Sequence, residues 1–253
     1  MIMAQAVLFP LACYASSVPL SFLCHRMSAD LTIDDEQTPS GLHRPYVVSL
    51  SDGAMATRKF ADKNPAYRPG QPCYFVDVTD LAPDLRFDQH VAGIKDNAFV
   101  RRYGVALRPD FTVDFAPSAF PVAVEQEATI ARSLRGEGCG VWAPVLDAPE
   151  TSSVYVIRLR AAVLKNRRFR AANPSYVKGS PCVYVGATGL TPEERFGNHK
   201  SGHKANYYAS AFGEGLMPEL FAHLNPMTHQ RALATEIALA DELQQEGFAV
   251  WQN

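Results

Sequence analysis

The chain has 253 residues, of which 47% are apolar and 20% charged, and its formal net charge at pH 7 is −2. These values are typical of a soluble globular protein. The five cysteines are an odd number in a long chain and include no CxxC pair, which excludes a disulfide framework and argues against a structural zinc site. Cys73 and Cys182 stand in apolar, strand-like runs, so we predict that they are buried free thiols.

Residues 1–45 are predicted to be a leader. Met1–Cys24 is apolar but has no Lys or Arg before its apolar run, and a secretory signal needs that positive start. Pro10 and Pro19 interrupt the run, which is also short for a membrane span. Met27 opens an ordinary acidic start, so we expect translation to begin there and the first 26 residues to be disordered or untranslated, with an export signal as the minority alternative. The expected location is the cytoplasm, with no membrane partner.

The rest of the chain contains an internal duplication. Residues 46–142 align with residues 155–251 without a gap, at an offset of 109 positions, and about a third of the aligned pairs are identical. A period of this length is that of one ordinary domain, since solenoid repeats span only about 20–50 residues. We therefore predict repeat 1 at 46–142, a short polar linker at 143–153 and repeat 2 at 154–253.

Charge is distributed unequally between the two copies. Residues 46–150 hold 11 Lys and Arg against 14 Asp and Glu, whereas residues 151–253 hold 11 against 8. Because phosphate backbones attract local positive charge, repeat 2 is the better candidate for contact with nucleic acid. Drift of a solvated surface explains the same difference equally well.

The first half of repeat 2 has the pattern of a strand, a short helix and a second strand. Val154–Leu159 is β-rich and alternates, which predicts a strand. Ala161–Ala172 is rich in Arg and Ala and predicts a short helix before the turn at Asn173-Pro174. Cys182–Gly186 predicts the second strand.

The second half of repeat 2 is predicted to be mainly helical. Thr191 is the expected N-cap of a helix that carries Arg195 and His199, which are four residues apart and so share one helix face. A long helix is predicted over Gln230–Glu246, followed by a final strand over Phe248–Trp251. Each repeat is thus expected to be a small α/β (α+β) domain with helices on a sheet.

The order of these features resembles the GIY-YIG nuclease superfamily. The matching residues are Val154-Tyr155-Val156, Tyr184-Val185-Gly186, Arg195, His199 and the helix-borne Glu236. The resemblance covers all of repeat 2 and, in degraded form, all of repeat 1. The spacing of 29 residues between the first two motifs is longer than in the best-known members. The resemblance implies two tandem domains, each a small, mainly antiparallel sheet flanked by helices.

The resemblance also implies catalytic roles in hydrolysis of a phosphodiester. Tyr184 would be the general base that takes a proton from water, and Arg195 would hold the scissile phosphate through bidentate hydrogen bonds. Tyr155 would orient these groups through its hydroxyl, and His199 would contact phosphate or assist proton transfer. Asn253 takes the place of an asparagine that the family often has after its final strand, near the leaving group, although a frayed terminus is an equal alternative.

The resemblance further implies a metal ion and a nucleic-acid partner. Glu236 would supply the single carboxylate for Mg²⁺ or Mn²⁺, and Mg²⁺ in proteins usually keeps several waters and takes one or two carboxylates. The expected substrate is nucleic acid, with DNA favoured over RNA. His199 and His203 also have the spacing of a metal pair, but the absence of an acidic partner argues against zinc.

Repeat 1 departs from the pattern at two positions. Phe75 stands where repeat 2 has the tyrosine base, and Asp77 stands where repeat 2 has the motif glycine. The remaining motif positions of repeat 1 are kept, at Tyr46, Arg86, His90 and Glu127. The lost hydroxyl and the added negative charge predict that repeat 1 is a non-catalytic copy with an architectural or substrate-positioning role.

Each residue also has a structural interpretation when taken alone. Tyr155 and Tyr184 fit ordinary strand aromatics, Arg195 and Glu236 fit a surface pair, and His199 fits a buried, hydrogen-bonded histidine. Their order and spacing together favour the nuclease interpretation. The alternative from a different functional class is a non-catalytic nucleic-acid-binding or assembly module built from the same two domains.

Overall fold

The structure is a computed structural model that describes residues 41–94 and 97–252. The predictions about Met27 and the first 26 residues, and about Asn253, lie outside the described residues. Both repeats fall within one compact unit. Among the described residues, no helix combines the length and the apolar character needed to cross a membrane.

Each repeat contributes one four-stranded sheet, which confirms the predicted small sheet and adds a strand, Gly104–Leu107 or Gly213–Leu216, that the sequence did not predict. The strands are β1 (Arg44–Leu50), β2 (Cys73–Thr79), β3 (Gly104–Leu107) and β4 (Gly140–Trp142) in repeat 1, and β5 (Ser153–Leu159), β6 (Cys182–Thr188), β7 (Gly213–Leu216) and β8 (Ala249–Trp251) in repeat 2. The strand orders are β3-β1-β2-β4 and β7-β5-β6-β8. In each sheet two of the three pairings are antiparallel and the last is parallel, which confirms the mainly antiparallel fold class.

Four helices of each copy also repeat in order, whereas one further helix lies between the copies and has no counterpart among the described residues. The helices are α1 (Arg58–Lys63), α2 (Pro83–Ala92), α3 (Ala98–Tyr103), α4 (Phe120–Gly136), α5 (Pro144–Asp147), α6 (Arg167–Ala171), α7 (Pro192–Ser201), α8 (Tyr207–Phe212) and α9 (His229–Gln245). The N-cap predicted at Thr191 is confirmed, and it forms a capping box: the backbone N–H of Glu194 donates to Thr191 Oγ1 at 3.2 Å, and the N–H of Thr191 donates to Glu194 Oε2 at 3.0 Å. Pro192 occupies the first turn, where its missing N–H is not needed.

Alternation along the strands gives each sheet two apolar faces. On one face of the first sheet, Val47 and Val76 pack with Ala128 of α4. On the other face, Tyr46 and Phe75 belong to a separate cluster with residues of α1 and α3. Successive strand residues point to opposite sides, so both faces of this sheet are covered by helices.

The two repeats share part of their core. Helices α4 and α9 pack against each other, and Ala234 of α9 belongs to the apolar cluster of repeat 1. Arg231 of α9 donates to Glu125 of α4 at 2.7 Å. The long helix of each copy therefore serves both as a cover for its own sheet and as the contact with the other copy.

Two sequence boundaries need correction. The first strand begins at Arg44, and His43 already pairs with Ser118 in an isolated bridge, so the end of the predicted leader belongs to the folded domain. The predicted polar linker contains the helical turn α5, and Val145 within it is 2% exposed. Its apolar residues pack on the repeat 1 core, which is why a segment bordered by turn-prone residues is ordered.

The predicted thiols agree with their environment. Cys73 and Cys182 are buried and free, and so is Cys139. Burial raises the pKa of the Cys73 thiol to about 11, so this group stays protonated at neutral pH.

Candidate active site

Tyr155 and Tyr184 meet on one face of the second sheet, as the repeat 2 motif predicts. Tyr155 lies directly across the antiparallel pair from Gly186, and Tyr184 precedes Gly186 by two residues, so all three share a face. The two tyrosine rings are 6.0 Å apart between centroids. Both side chains are fully buried. This face is the same one that bears Trp251, which is paired with Tyr184 in the parallel part of the sheet.

Gly186 is required by this packing. A Cβ at this position would lie 2.7 Å from the Tyr155 hydroxyl oxygen and 2.9 Å from Tyr184 Cε1, both closer than real Cβ contacts. The glycine of the second motif therefore creates the space into which the first tyrosine folds.

Substitution of Gly186 by alanine is expected to displace Tyr155 and lower the free energy of unfolding by about 1–3 kcal/mol, the usual range for overpacking a core. The matched control is Gly215→Ala, another strand glycine of the same repeat, where no heavy atom lies within 4 Å of an added Cβ. Urea denaturation of both variants measures the difference. Equal stability of the two variants would contradict the steric role of Gly186.

His199 lies beneath the tyrosines and holds Tyr155 in place. The backbone N–H of Asn206 donates to His199 Nδ1 at 3.0 Å, so the proton of the neutral ring is on Nε2, which donates to the Tyr155 hydroxyl oxygen at 2.8 Å. The ring is fully buried, and burial lowers the pKa of His199 to about 4, with Arg195 adding to the effect. With both nitrogens engaged, this ring orients Tyr155, whereas the sequence-based role places it against phosphate.

Arg195 lies on the first turns of α7, close to both tyrosines. Its guanidinium Nη2 donates to the carbonyl oxygen of Lys204 at 3.1 Å. Burial raises the pKa of Tyr155, and hydrogen bonds from Arg195 and Tyr184 oppose that rise. The pKa of Tyr184 is raised by burial first, then by Tyr155 and Glu236, while the positive charge of Arg195 lowers it. The tyrosine pair is therefore held protonated, next to one cation that favours the phenolate.

Glu236 approaches the same end of the sheet from α9, the helix that covers the opposite face. Its side chain is 8% exposed and borders a pocket of about 500 Å³. Ala187, the residue after the motif glycine, lies in the same wall. Leu233 and Ile237 of α9 line it too, and the first part of the chain contributes His43 and Phe120.

His43 is a polar group that the sequence interpretation missed. Its ring packs edge-on against Phe120, with 4.9 Å between ring centroids, and its buried Nδ1 atom has no hydrogen-bond partner. Because the repeat alignment begins at Tyr46, His43 fell into the predicted leader. Its neighbour in space, Glu236, is 193 positions away along the chain, a distance at which no local pattern operates.

Glu236 is the only carboxylate among the described residues that line this pocket, and the rest of the lining is His43 and four apolar side chains. Mg²⁺ in proteins takes one or two carboxylates and keeps several waters, so Glu236 would be its single protein ligand here. Among the described residues, no group of three or more His, Cys, Asp and Glu side chains has the geometry of a metal site. A closed protein cage of the kind that structural zinc uses is therefore absent from this part of the chain.

The equivalent carboxylate of repeat 1 is sealed. Glu127 is fully buried, its Oε1 accepts the backbone N–H of Val145 at 3.2 Å, and its Oε2 accepts the side-chain amide of Gln230 at 2.5 Å. The same amide nitrogen of Gln230 lies 3.3 Å from Asp77 Oδ1. Repeat 2 thus inserts an amide donor between the two acids of repeat 1. At the position equivalent to Gln230, repeat 1 has Pro121, which has no side-chain donor.

The first tyrosine of repeat 1 is also affected by Asp77, since burial and then the negative charge of Asp77 raise the pKa of Tyr46. Tyr46 still bonds to His90 Nε2 at 2.7 Å, but the two rings are inclined by only 24°, against 44° for Tyr155 and His199. Burial raises the pKa of Asp77 to about 6, and burial followed by the negative charge of Asp77 holds the pKa of Glu127 well above its usual range.

Glu127→Gln is expected to flatten the pH dependence of stability. A raised folded-state pKa means that the folded protein binds protons which the unfolded chain releases, so the free energy of unfolding falls as pH rises through about 6 and beyond. Between pH 5 and pH 8 the wild type should therefore lose stability relative to the variant. Urea denaturation at both pH values measures this difference.

His199 has the opposite effect on the pH dependence of the free energy of unfolding. Its pKa is lowered to about 4, so its contribution to stability is present above about pH 6.5 and is lost as pH falls toward 4. Because His199 is present in both proteins, its effect cancels from the difference. The same pH dependence in wild type and Glu127→Gln would contradict the raised pKa of Glu127.

Comparison of the chain with protein-family models, with curated proteins and with solved structures gives no match in any of the three. The resemblance to GIY-YIG nucleases therefore depends on the motif residues and their arrangement alone. Tyr155, Tyr184 and His199 are in contact, and Arg195 and Glu236 are near enough for their charges to act on Tyr184.

Proposed function

We propose that this chain is a metal-dependent endonuclease whose repeat 2 hydrolyses phosphodiester bonds of nucleic acid, with DNA favoured over RNA. The observation that supports it most strongly is the packing of Tyr155, Tyr184 and His199 over Gly186. If the two tyrosines only filled the core, the motif glycine beside them would not be needed. Larger apolar residues fill a core at a lower cost in free energy. We also propose that the protein is located in the cytoplasm.

In this proposal each residue has a defined role. Because burial raises the pKa of Tyr184, its hydroxyl must first give its proton to solvent. Water then attacks phosphorus, the bond to the leaving oxygen breaks, and the Tyr184 phenolate takes the proton of the attacking water. Arg195 lies near Tyr184 and favours the phenolate electrostatically, and it also holds the phosphate. Tyr155 orients the base, and His199 fixes Tyr155 through Nε2. Glu236 would hold Mg²⁺ or Mn²⁺, which would neutralise the charge that develops on the phosphate.

Repeat 1 takes no part in the chemistry under this proposal. Phe75 has no hydroxyl at the base position, and the carboxylate of Glu127 is occupied by Gln230 and Val145. A metal ion there would have to displace a buried hydrogen-bonded amide, which leaves that donor unpaired. The repeat 1 position is therefore proposed to support the fold and the contact between the copies.

One observation favours the alternative, a nucleic-acid-binding or assembly module without turnover. The side chains of Tyr155 and Tyr184 are fully buried, whereas a general base must meet water. The nuclease proposal therefore requires this face to open when substrate and metal ion bind. Incubation of the purified protein with plasmid and Mg²⁺ or Mn²⁺ separates the two functions.

A further inference from the structure

A second feature of repeat 1 lies away from its acids and is rich in cations and aromatic rings. A pocket of about 830 Å³ is formed between α1, α3 and the end of β4. Three exposed cations contribute to it, namely Lys59, Arg101 and Arg102. Its apolar part is formed by Phe99, Tyr103 and Trp142. Among the described residues that line this pocket, none is acidic.

The cations and rings of this pocket are in direct contact. Lys59 Nζ lies 4.7 Å from the centre of the Trp142 ring, and the Arg102 guanidinium carbon lies 5.3 Å from the centre of the Tyr103 ring. Phe99 stacks on Trp142, with 6.0 Å between centroids and 27° between planes. Cations in contact with aromatic rings combine the two chemistries that a nucleotide needs, a positive charge for the phosphate and a ring for the base.

Repeat 2 has the same pocket at the equivalent positions. A volume of about 590 Å³ is lined by Arg168, Tyr208 and Trp251, which align with Lys59, Phe99 and Trp142 of repeat 1. The Arg168 guanidinium carbon lies 5.2 Å from the centre of the Trp251 ring. The two copies have thus diverged at the base and glycine positions but have both kept a cation over a tryptophan.

The pocket of each repeat includes a tryptophan from the sheet face that carries the position of the proposed base. In repeat 1, Trp142 pairs with Phe75, and in repeat 2, Trp251 pairs with Tyr184. Side chains of paired residues in neighbouring parallel strands project to the same face, so the tryptophan of each pocket lies on the same face of its sheet as the position of the proposed base.

We propose that the repeat 1 pocket binds single-stranded nucleic acid. Lys59 and Arg102 contact phosphates, and a base packs against the rings of Phe99 and Trp142. The net charge of residues 46–150 is −3, so the cations are concentrated here against the overall charge of the repeat. A paired base offers no free face to an aromatic pocket, whereas an unpaired base does, which is why the occupant is a single strand.

Charge reversal at two adjacent residues tests the proposal. Lys59 lies in the pocket, whereas Arg58 faces away, with its side chain 94% exposed and paired with Asp62. Anisotropy of a labelled oligothymidylate is measured in the presence of a chelator, so that metal-dependent cleavage cannot occur. Lys59→Glu is expected to weaken binding about tenfold or more and to lower the salt slope by about 0.7, the loss of one single-strand phosphate contact. The control Arg58→Glu should change the affinity by less than about threefold.

Tryptophan fluorescence tests the same pocket without a change of charge. The chain has two tryptophans, so the Trp251→Phe variant reports on Trp142 alone. Addition of oligothymidylate should quench this signal, and the Lys59→Glu change in the same background should shift the midpoint by the same factor as in anisotropy. A blunt DNA duplex of the same length should bind at least about tenfold more weakly, because its paired bases cannot stack on the aromatic rings.

Three results would overturn the proposal: equal affinity of Lys59→Glu and Arg58→Glu, binding without a change in Trp142 fluorescence, or preference for the duplex. The proposal does not depend on catalysis. If plasmid is never cleaved while oligothymidylate binds in a Lys59-dependent way, the nuclease assignment fails and the binding pocket stands. If plasmid is cleaved while Lys59→Glu has no effect on binding, the reverse holds.

Discussion

Tyr184→Phe is expected to lower the rate of nucleic-acid cleavage by about two to four orders of magnitude, the usual contribution of a general base. The substitution removes one hydroxyl and almost no volume. Phe75 occupies the equivalent position of repeat 1 and is also fully buried, so phenylalanine fits this site in the fold. Single-turnover cleavage of plasmid, together with the urea midpoint of each protein, separates loss of chemistry from loss of structure.

The matched control for this variant is the reciprocal substitution at the equivalent positions of repeat 1. Phe75→Tyr with Asp77→Gly makes repeat 1 match repeat 2 at both divergent positions. Because Glu127 remains occupied by Gln230, this double change should leave the cleavage rate of an otherwise wild-type protein within about threefold, a small effect beside the loss of a catalytic group. Full cleavage by a Tyr184→Phe preparation free of other nucleases would show that the base has been assigned to the wrong residue.

Glu236→Gln is expected to abolish Mg²⁺-dependent or Mn²⁺-dependent cleavage and to weaken Mn²⁺ binding at least about tenfold, because a neutral amide is a poorer ligand for a hard cation. The same substitution at Glu127 should leave both properties nearly unchanged. The two carboxylates differ in access, since Glu236 borders an open pocket whereas Glu127 is fully buried against Gln230.

Binding of Mn²⁺ can be followed by its electron paramagnetic resonance signal, which does not require any turnover. Loss of Mn²⁺ binding in Glu127→Gln, with Glu236→Gln unaffected, would reverse the roles of the two repeats. Retention of full binding and cleavage in both single variants would remove Glu236 from the metal site.

The duplication made much of the fold predictable from the sequence. A gapless offset transfers each inference from one copy to the other, so strands near Tyr155 and Tyr184 predict strands near Tyr46 and Phe75. The N-cap at Thr191 was predictable because it depends on residues within one helical turn. The long helix begins and ends within one residue of the predicted Gln230–Glu246.

The contacts between the copies were not predictable in this way. Gln230 reaches Glu127 over 103 positions, and an alignment of the two repeats compares equivalent positions without indicating which residues meet. The turn α5 was missed because its residues are bordered by turn signals, whereas burial of Val145 decides their structure. The burial of the Tyr184 hydroxyl was missed because strand alternation predicts a face and says nothing of what covers it.

The most direct test of the proposed function is cleavage of supercoiled plasmid by the wild-type protein with Mg²⁺ or Mn²⁺. The blank is a Tyr184→Phe, Glu236→Gln double variant purified in the same way, and a third reaction contains wild type with a chelator. The proposal predicts nicked or linear DNA with wild type and metal ion only. Intact plasmid in every reaction, or equal cleavage by the double variant, would contradict it.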